Sequence, residues 1–306
     1  MRLLLANAEG RTGTQKTVDE LAAGRQALDA IEAGIRVVES DPAVRTVGRG
    51  GAPNMLGQME CDASIMCGRT QRSGAIGAIQ GFCYPISIAR QIMNRTPHVM
   101  LVGEGAARFA DEVGAERGEM LTPQAREEYE RWKQGRLSED QQDSWPNVSM
   151  APLLAPNAPK DIALGTTCFL ACDVDGDFAG GVSTSGWAYK YPGRLGDSPV
   201  IGAGLYVDNR FGAVACTHTG EMTIRAGTSR AVLAYMKKGA GVRDACLEAL
   251  DDLGHLKGGF LNSVVIHAVD RDGSPYVCCM GLEKPAGFCF WKEGMEQVEM
   301  REAEIA

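Results

Sequence analysis

The sequence predicts a layered α+β fold, because its helices and strands are segregated along the chain rather than alternating. Helical patterns dominate residues 18–133, whereas strand patterns follow one another at 167–173 and 178–183. The chain then closes with three further predicted strands, which we interpret as a meander. A doubly wound parallel sheet would instead need regular alternation of strand and helix.

The first half of the chain begins with a short apolar segment that we interpret as a buried strand rather than a secretory signal. Thr17-Val18-Asp19-Glu20 has the sequence of a capping box, and apolar residues follow it at helical spacing. We therefore predict one long amphipathic helix over 18–39, ending before Asp41-Pro42. The other elements predicted in this half are strands at 59–66 and 99–102 and helices at 85–93, 105–113 and 125–133.

Residues 134–161 differ in composition from the rest of the chain. They are rich in Gln, Ser, Asp, Asn and Pro and have little periodicity, which predicts a mobile linker. The elements predicted after it are strands at 167–173, 178–183, 212–217, 262–269, 275–281 and 287–292 and helices at 221–237 and 242–253.

Composition excludes several classes of partner. The 306 residues carry a formal net charge of −8, and neither half of the chain is basic, so we expect no nucleic-acid partner. The longest uncharged apolar stretch, 73–89, contains Gln80, Pro85 and several glycines and falls short of the ~20 residues of a membrane span. We expect a cytoplasmic protein with no membrane partner.

The ten cysteines are interpreted as buried, reduced thiols. Most lie in apolar runs such as Phe169-Leu170-Ala171-Cys172, there is no C-x-x-C, and the four histidines are scattered. Gly103-x-Gly105 lacks the third glycine of a dinucleotide fingerprint, and no Walker loop, G-x-S-x-G or H-E-x-x-H occurs. We therefore expect neither a metal nor a cofactor.

Polar motifs cluster between residues 165 and 221, where hydroxyls lie at predicted strand ends. A loop at 190–199 carries Arg194 and Asp197, and a Gly-rich turn follows the strand that ends at 217. A guanidinium can bind a carboxylate bidentately and an aspartate can bind an ammonium, so the pair could recognise the head of an amino acid. Alternatively, Arg194 and Asp197 brace the loop through a salt bridge, and Thr184 caps a turn.

As a set, these segments resemble the aspartylglucosaminidase and isoaspartyl peptidase/asparaginase family of N-terminal-nucleophile hydrolases. The resemblance covers roughly residues 1–118 and 162–292. Gly165-Thr166 is more similar to the isoaspartyl peptidase branch, and Val47-Gly-Arg-Gly-Gly to the aspartylglucosaminidase branch. The segments that carry it are 47–54, 62–66, 88–90, 98–106 and above all 183–204, which reads Ser-Thr-Ser-Gly-x-x-x-Lys-x-Pro-Gly-Arg-x-Gly-Asp-Ser-Pro-x-x-Gly-Ala-Gly.

The resemblance implies a fold, an activity and an assembly. The fold is a single four-layer αββα sandwich, made as a precursor that cuts itself between Gly165 and Thr166. The products would be an α-chain of residues 1–165 and a β-chain of residues 166–306, and we expect a homodimer of these αβ units. The reaction implied is hydrolysis of the β-amide of an aspartyl group in a small amino-acid amide such as a glycosylasparagine.

The family's residue roles carry over by position. Thr166 would attack the amide carbonyl with its freed α-amine as base, and Thr184 would hydrogen-bond the nucleophile. Arg194 and Asp197 would bind the substrate's α-carboxylate and α-amine. Thr217 and the backbone N–H of His218 would form the oxyanion hole, and Gly220 would complete the substrate-binding turn.

Three positions depart from the family pattern. His218 replaces the usual glycine of the oxyanion turn, Thr167-Cys168 follows the nucleophile where x-Gly is usual, and Asn7-Ala8-Glu9 replaces Asn-Thr-Trp. Several alternatives therefore stay open. The substrate could be a β-aspartyl peptide, asparagine or another small amide selected by His218. The chain could also be a non-catalytic, uncleaved homologue, and Cys168 is a weaker rival nucleophile.

Overall fold

The computed structural model describes residues 1–154 and 165–306, which contain two β-sheets. In the larger sheet the strands lie in the order β12-β11-β1-β5-β6-β2-β3-β4, and in the smaller one β13-β10-β9-β8-β7. The strands are β1 (Leu3–Asn7), β2 (Cys61–Cys67), β3 (Ser73–Ile79), β4 (Met100–Val102), β5 (Thr167–Cys172), β6 (Phe178–Thr184), β7 (Leu205–Asp208), β8 (Gly212–His218), β9 (Val264–Asp270), β10 (Pro275–Met280), β11 (Gly287–Lys292), β12 (Glu299–Glu302) and β13 (Glu304–Ile305).

Helices cover the outer face of each sheet. In the described residues they are α1 (Arg11–Ala22), α2 (Ala27–Ser40), α3 (Pro85–Arg95), α4 (Gly103–Glu112), α5 (Pro123–Arg136), α6 (Glu139–Asp143), α7 (Gly220–Ala226), α8 (Thr228–Lys237) and α9 (Val242–Gly254). None of the helices in these ranges combines the length and apolar composition that crossing a bilayer requires.

Three apolar clusters define four layers. The first packs α1, α2 and α3 on the eight-stranded sheet, the second lies between the two sheets, and the third packs α8 and α9 on the five-stranded sheet. Strand β1 shows how one strand serves two layers, because Leu4 faces the helices whereas Leu3 and Leu5 face the other sheet. The predicted four-layer αββα sandwich is therefore confirmed.

Strand register brings the ends of three strands together in the eight-stranded sheet. Strands β1 and β5 pair antiparallel with Ala6 opposite Phe169, so Asn7 lies beside the start of β5. Strands β5 and β6 pair with Thr167 opposite Ser183, which places Thr166 beside Thr184. The predicted nucleophile thus directly precedes the central strand β5, at the end of the sheet where β1 and β6 finish.

The prediction of one helix over 18–39 is wrong, because α1 and α2 are separate helices. Gly24 adopts a φ of +79° in the connection, a conformation that glycine reaches at little cost. Thr17 lies inside α1 instead of capping it, and its hydroxyl donates to the carbonyl of Gly13 at 3.1 Å. At Gly13 an added Cβ would lie 2.2 Å from the carbonyl oxygen of Gly34. The backbones of α1 and α2 are therefore in direct contact at these two glycines.

Two further predictions differ from the structure. The predicted helix 221–237 is divided into α7 and α8 at Gly227, whose φ is +61°. The closing strands are not one meander, because β9 and β10 pair in the smaller sheet whereas β11 pairs with β1 in the larger one. In the predicted linker, residues 134–154 contain the end of α5 and the short helix α6, and residues 155–161 lie outside the described residues.

Candidate active site

The side chain of Asn7 holds the backbone that directly follows the predicted nucleophile. Its amide nitrogen donates to the carbonyl of Thr166, and its amide oxygen accepts the N–H of Cys168 at 2.9 Å. The same nitrogen donates to the Glu9 carboxylate at 2.6 Å. Thr166 is 5% exposed, so its position is fixed within the protein rather than on its surface.

Thr184 contacts the peptide bond that precedes Thr166. Its hydroxyl donates to the carbonyl oxygen of Gly165 at 2.7 Å and accepts the N–H of Gly186 at 2.8 Å. The carbonyl of Thr46 also lies within reach of this hydroxyl, at 3.4 Å, but the Gly165 carbonyl is much closer and is the favoured acceptor of the proton. Thr184 therefore polarises the carbonyl at which cleavage is predicted.

Gly165 itself packs closely against Thr46. A Cβ at Gly165 would lie 2.3–2.6 Å from three side-chain atoms of Thr46, a separation that a larger residue could reach only by displacing that side chain. The carbonyl of Thr46 in turn accepts the N–H of Ser185 at 3.0 Å. A glycine before the nucleophile is thus required by the packing of this segment.

Arg194 is paired with Glu221 rather than with Asp197. Its Nε and Nη2 donate to the two carboxylate oxygens of Glu221 at 2.9 and 2.8 Å, and its guanidinium stacks 4.5 Å from the ring centre of Trp187. Neither hydrogen bond to Glu221 uses the third guanidinium nitrogen, Nη1, which lies near Gly186 and Gly196. The sequence did not predict Glu221 as the partner, because the two residues are 27 positions apart.

Asp197 is buried against the start of α7. It is 3% exposed, and its carboxylate accepts the hydroxyl of Thr223 at 2.7 Å. Burial raises the pKa of Asp197 to about 6, although the Thr223 hydrogen bond and the Arg194 charge oppose this rise. A Cβ at Gly220 would lie 2.7 Å from the Asp197 nitrogen, so this glycine allows the turn to pack on Asp197.

The turn that follows β8 is strained at His218. This residue has a φ of +84°, in the left-handed region that favours glycine. Its ring Nδ1 lies 3.2 Å from the hydroxyl of Thr217. Burial lowers the pKa of His218, so the ring is uncharged at neutral pH. The backbone therefore keeps a glycine-like conformation although the residue is histidine.

A cavity of about 190 Å³ lies between this turn and Asn7, the residue that bonds the carbonyl of Thr166. Asn7, Glu9, Thr217, His218 and His267 are among the residues that line it. The sequence analysis named Glu9 only as a departure from the family pattern and did not single out His267. The available signal was a histidine in a strand, at a position whose alternating neighbours Val265 and Val269 are apolar.

The predicted residues thus form three groups. Gly165, Thr166 and Thr184 meet at the ends of β5 and β6. Arg194, Asp197 and Gly220 meet at the start of α7, and Thr217 and His218 face the cavity beside Asn7.

Cys168, the alternative nucleophile considered from the sequence, lies in an environment that does not favour reactivity. Cys168 is fully buried, and burial raises the pKa of its thiol, which disfavours the reactive thiolate. No group of three or more His, Cys, Asp or Glu side chains in the described part of the chain is placed to hold a metal ion.

Comparison with known proteins identifies relatives in both branches. A family model described as Asparaginase matches residues 8–286. The chain is 38% identical over 231 residues to an N(4)-(beta-N-acetylglucosaminyl)-L-asparaginase of Elizabethkingia miricola, which covers 76% of this chain and 63% of that protein.

Two mammalian relatives carry the name isoaspartyl peptidase/L-asparaginase. The mouse protein is 36% identical over 234 residues, 76% of this chain and 66% of its own length. The bovine protein is 36% identical over 240 residues, 78% of this chain and 71% of its own length. The chain thus spans slightly less than two thirds of the bacterial and mouse relatives. It belongs to the asparaginase family that includes these proteins.

Proposed function

We propose that this protein is a self-cleaving threonine amidohydrolase that hydrolyses the β-amide bond of an aspartyl or asparagine substrate, of the N4-glycosylasparagine or β-aspartyl amide type. The observation that carries the proposal is the 2.7 Å hydrogen bond from Thr184 to the carbonyl of Gly165. It polarises the one peptide carbonyl that the Thr166 hydroxyl must attack. Membership of the asparaginase family supports the same reaction class.

Self-cleavage begins with an acyl shift. The Thr166 hydroxyl oxygen attacks the Gly165 carbonyl carbon, its proton passes to the amide nitrogen of Thr166, the C–N bond breaks, and an ester joins the two residues. Water then hydrolyses the ester to leave the Gly165 carboxylate and a free α-amine on Thr166. Thr184 donates to the oxygen on which negative charge develops in the first step, so its contribution is greatest in the transition state.

Turnover uses the amine that cleavage releases. An α-amine has a pKa near ~8, so it can accept the proton of the neighbouring Thr166 hydroxyl as that oxygen attacks the substrate amide. The hydroxyl of Thr217 and the N–H of His218 would stabilise the resulting oxyanion. The amine of the substrate's leaving group then takes up this proton and departs. Water hydrolyses the acyl-enzyme and releases aspartate.

The amino-acid head of the substrate would bind at Arg194 and Asp197. Glu221 and Trp187 fix the guanidinium, and Nη1 is then available to the α-carboxylate. Asp197 is anionic above its pKa of about 6 and can pair with the α-ammonium at neutral pH. The buried Thr223 hydroxyl holds the Asp197 carboxylate in place.

A second candidate keeps this chemistry and changes the leaving group. The relatives include proteins named isoaspartyl peptidase/L-asparaginase, and His218 and Glu9 line the cavity beside Thr217. These side chains favour a β-aspartyl peptide, asparagine or another small amide if they narrow the space available to a glycosyl group.

A substrate panel tests the proposal and separates the candidates. Release of aspartate is measured for a glycosylasparagine, a β-aspartyl dipeptide, asparagine and glutamine. We expect hydrolysis of at least one β-aspartyl substrate by the wild type and none by Thr166→Ala, whereas Thr167→Ala serves as the matched control and retains activity. Hydrolysis by Thr166→Ala, or of glutamine alone, would contradict the proposal.

We also propose a homodimer of αβ units in a reducing, cytoplasmic compartment. All ten cysteines are free thiols, and nine of them are buried, which supports a reducing environment. Light scattering of the purified protein tests the dimer, and fractionation of cells tests the compartment. A monomer, or a protein recovered only outside the cytoplasm, would contradict these proposals.

A further inference from the structure

The cavity beside Thr217 has a lining that does not include the proposed head-group site. Asn7, which bonds the carbonyl of Thr166, and Thr217 both line it, whereas Arg194 and Asp197 do not. A substrate whose carbonyl is at Thr166 and whose head is at Arg194 and Asp197 would therefore direct its leaving group into this cavity. Its volume of about 190 Å³ exceeds the ~150 Å³ cavity that holds benzene, so it can accommodate a group of several non-hydrogen atoms.

His267 forms part of the buried wall of the cavity. It is 1% exposed, and its contact with the backbone of Ala215 lacks the geometry of a proper hydrogen bond, so neither ring nitrogen has a well-formed hydrogen bond in the described part of the chain. In strand pairing Thr217 is opposite Val265 and Ala215 is opposite His267, so His267 and Thr217 lie on the same face of the sheet. A buried polar group without a well-formed hydrogen bond is destabilising, and a bound group could supply the missing hydrogen bond.

The ring of His267 is uncharged. Burial, and to a lesser extent the neighbouring His218, lower its pKa to about 3. A neutral imidazole offers one N–H donor and one nitrogen acceptor. Lys284 also lines the cavity, on its exposed side, whereas a charged group at the buried ring itself would lose its hydration without gaining an opposite charge from His267. An uncharged group that both donates and accepts matches the ring best.

Glu9 lines the same cavity and completes its polar character. Its carboxylate accepts the Asn7 amide at 2.6 Å, and burial raises its pKa. Glu9 is therefore linked through Asn7 to the backbone of Thr166, whereas His267 makes no such link. His267 is thus the buried side chain of the cavity that is free to bind a ligand.

We propose that His267 is a specificity-determining residue, whose ring binds an uncharged leaving group that carries a hydroxyl or amide. The inference rests on the proposed β-amide hydrolysis and adds to it the subsite and the chemistry of the leaving group. It assigns to His267 no part in bond cleavage. Its effect is therefore confined to substrates that place a group in the cavity, and asparagine, whose leaving group is ammonia, is insensitive to it.

The test compares three β-aspartyl amides with leaving amines of similar length: 3-hydroxypropylamine, butylamine and 3-aminopropanoate. For the wild type we expect kcat/KM for the hydroxypropyl amide to exceed that for the butyl amide by about tenfold, because a hydrogen-bonding subsite rejects an analogue that lacks the hydroxyl. The carboxylate-bearing amide is expected to be slower than the hydroxypropyl amide. In His267→Phe the preference for the hydroxyl should disappear, and hydrolysis of asparagine should be retained.

Two further variants control the experiment. His255→Phe changes a histidine that is 75% exposed at the end of α9, and it should keep the wild-type preference. His267→Gln retains a donor and an acceptor and should restore part of the preference. If His267→Phe fails to fold, His267→Leu takes its place as the apolar variant.

The outcomes separate this inference from the proposed function. An equal hydroxyl preference in the apolar His267 variant and the wild type, with asparagine still hydrolysed, would overturn the role of His267 alone. A wild type without hydroxyl preference would do the same. Absence of hydrolysis of every amide, asparagine included, would overturn the proposed function and this inference with it.

Discussion

At the residue scale, His218 combines a left-handed backbone with an uncharged ring beside the proposed oxyanion threonine. The lowered pKa disfavours a role as a general acid at neutral pH, and its place in the cavity wall favours a steric role. We predict that His218→Gly raises kcat/KM for β-aspartyl amides with bulky leaving groups and leaves asparagine hydrolysis little changed. An identical substrate profile in the variant would make His218 a packing residue.

Asp197 provides a pH-dependent test of head-group binding. Its carboxyl is charged above a pKa of about 6, so its attraction for an α-ammonium is present at pH 7 and is lost as pH falls below 6. We predict that the preference for aspartate over succinate, which lacks the amine, falls about tenfold between pH 7 and pH 5. Competitive inhibition by both acids measures this ratio. A preference that is constant over this range would contradict the role of Asp197.

Arg194 tests the carboxylate side of the same site. Its fork binds both oxygens of Glu221, and a lysine cannot reproduce two parallel hydrogen bonds. We predict that Arg194→Lys raises KM about tenfold or more while the chain still cleaves before Thr166. Arg210→Lys, which alters an exposed arginine that pairs with the buried Asp208 away from the site, is the matched control. An unchanged KM in Arg194→Lys would show that the substrate carboxylate binds elsewhere.

The sequence motifs identified Thr166, Thr184, Arg194 and Asp197 as candidates before any geometry was available. Their partners could not be predicted in the same way. Arg194 pairs with Glu221 because α7 folds against the loop that carries Arg194. His267 lines the cavity because β8 and β9 pair in a register that cannot be predicted from the sequence. Motifs report residue types at fixed spacing, whereas these contacts are long-range.

At the element scale, α2 ends with a buried acid that links it to the sheet. Glu39 is 0% exposed, and one carboxyl oxygen accepts the Ser183 hydroxyl at 2.6 Å and the Ile86 N–H at 3.0 Å. Burial raises the pKa of Glu39 to about 8, against the effect of these two hydrogen bonds. The folded protein therefore holds a proton on Glu39 at pH values where the unfolded chain releases it.

This linkage predicts how stability depends on pH. The raised pKa of Glu39 contributes to the free energy of unfolding. This contribution is fully present below pH 4.5, the pKa of Glu39 in the unfolded chain, and is lost as pH rises through about 8. We predict that the decline in Tm between pH 5 and pH 8 is smaller in Glu39→Gln than in the wild type by about 5 °C. Glu127→Gln, on the exposed side of α5, should follow the wild type. Equal declines in Glu39→Gln and the wild type would contradict the assignment.

Local periodicity predicted most helices and strands but not every boundary between them. Apolar spacing continues from α1 into α2, so the pattern alone gives no reason for a break, and Gly24 with its positive φ is what separates the helices. Gly227 has the same effect between α7 and α8. Whether a glycine is tolerated inside a helix or ends the helix depends on what the following segment packs against. Those contacts are tertiary, so local periodicity does not report them.

At the scale of the whole molecule, the segregation of helices and strands correctly predicted a layered α+β fold, and the family resemblance correctly implied its four layers. The segregation did not predict which sheet receives each closing strand, because both sheets bury alternating apolar residues and both accept such a strand. Strand β11 joins β1 in the larger sheet, which brings Gly287 and Ala286 to the wall of the cavity. The candidate site is therefore assembled from both sheets and both proposed chains.

The central claim is that Thr166 becomes an N-terminal nucleophile by cleavage of the bond that Thr184 polarises. The intact-mass spectrum of the purified protein tests it most directly. We predict chains of residues 1–165 and 166–306, the second beginning Thr-Thr-Cys-Phe, and a single inactive chain for Thr166→Ala. An uncleaved wild-type chain that hydrolyses the substrate, or an active Thr166→Ala, would contradict the claim.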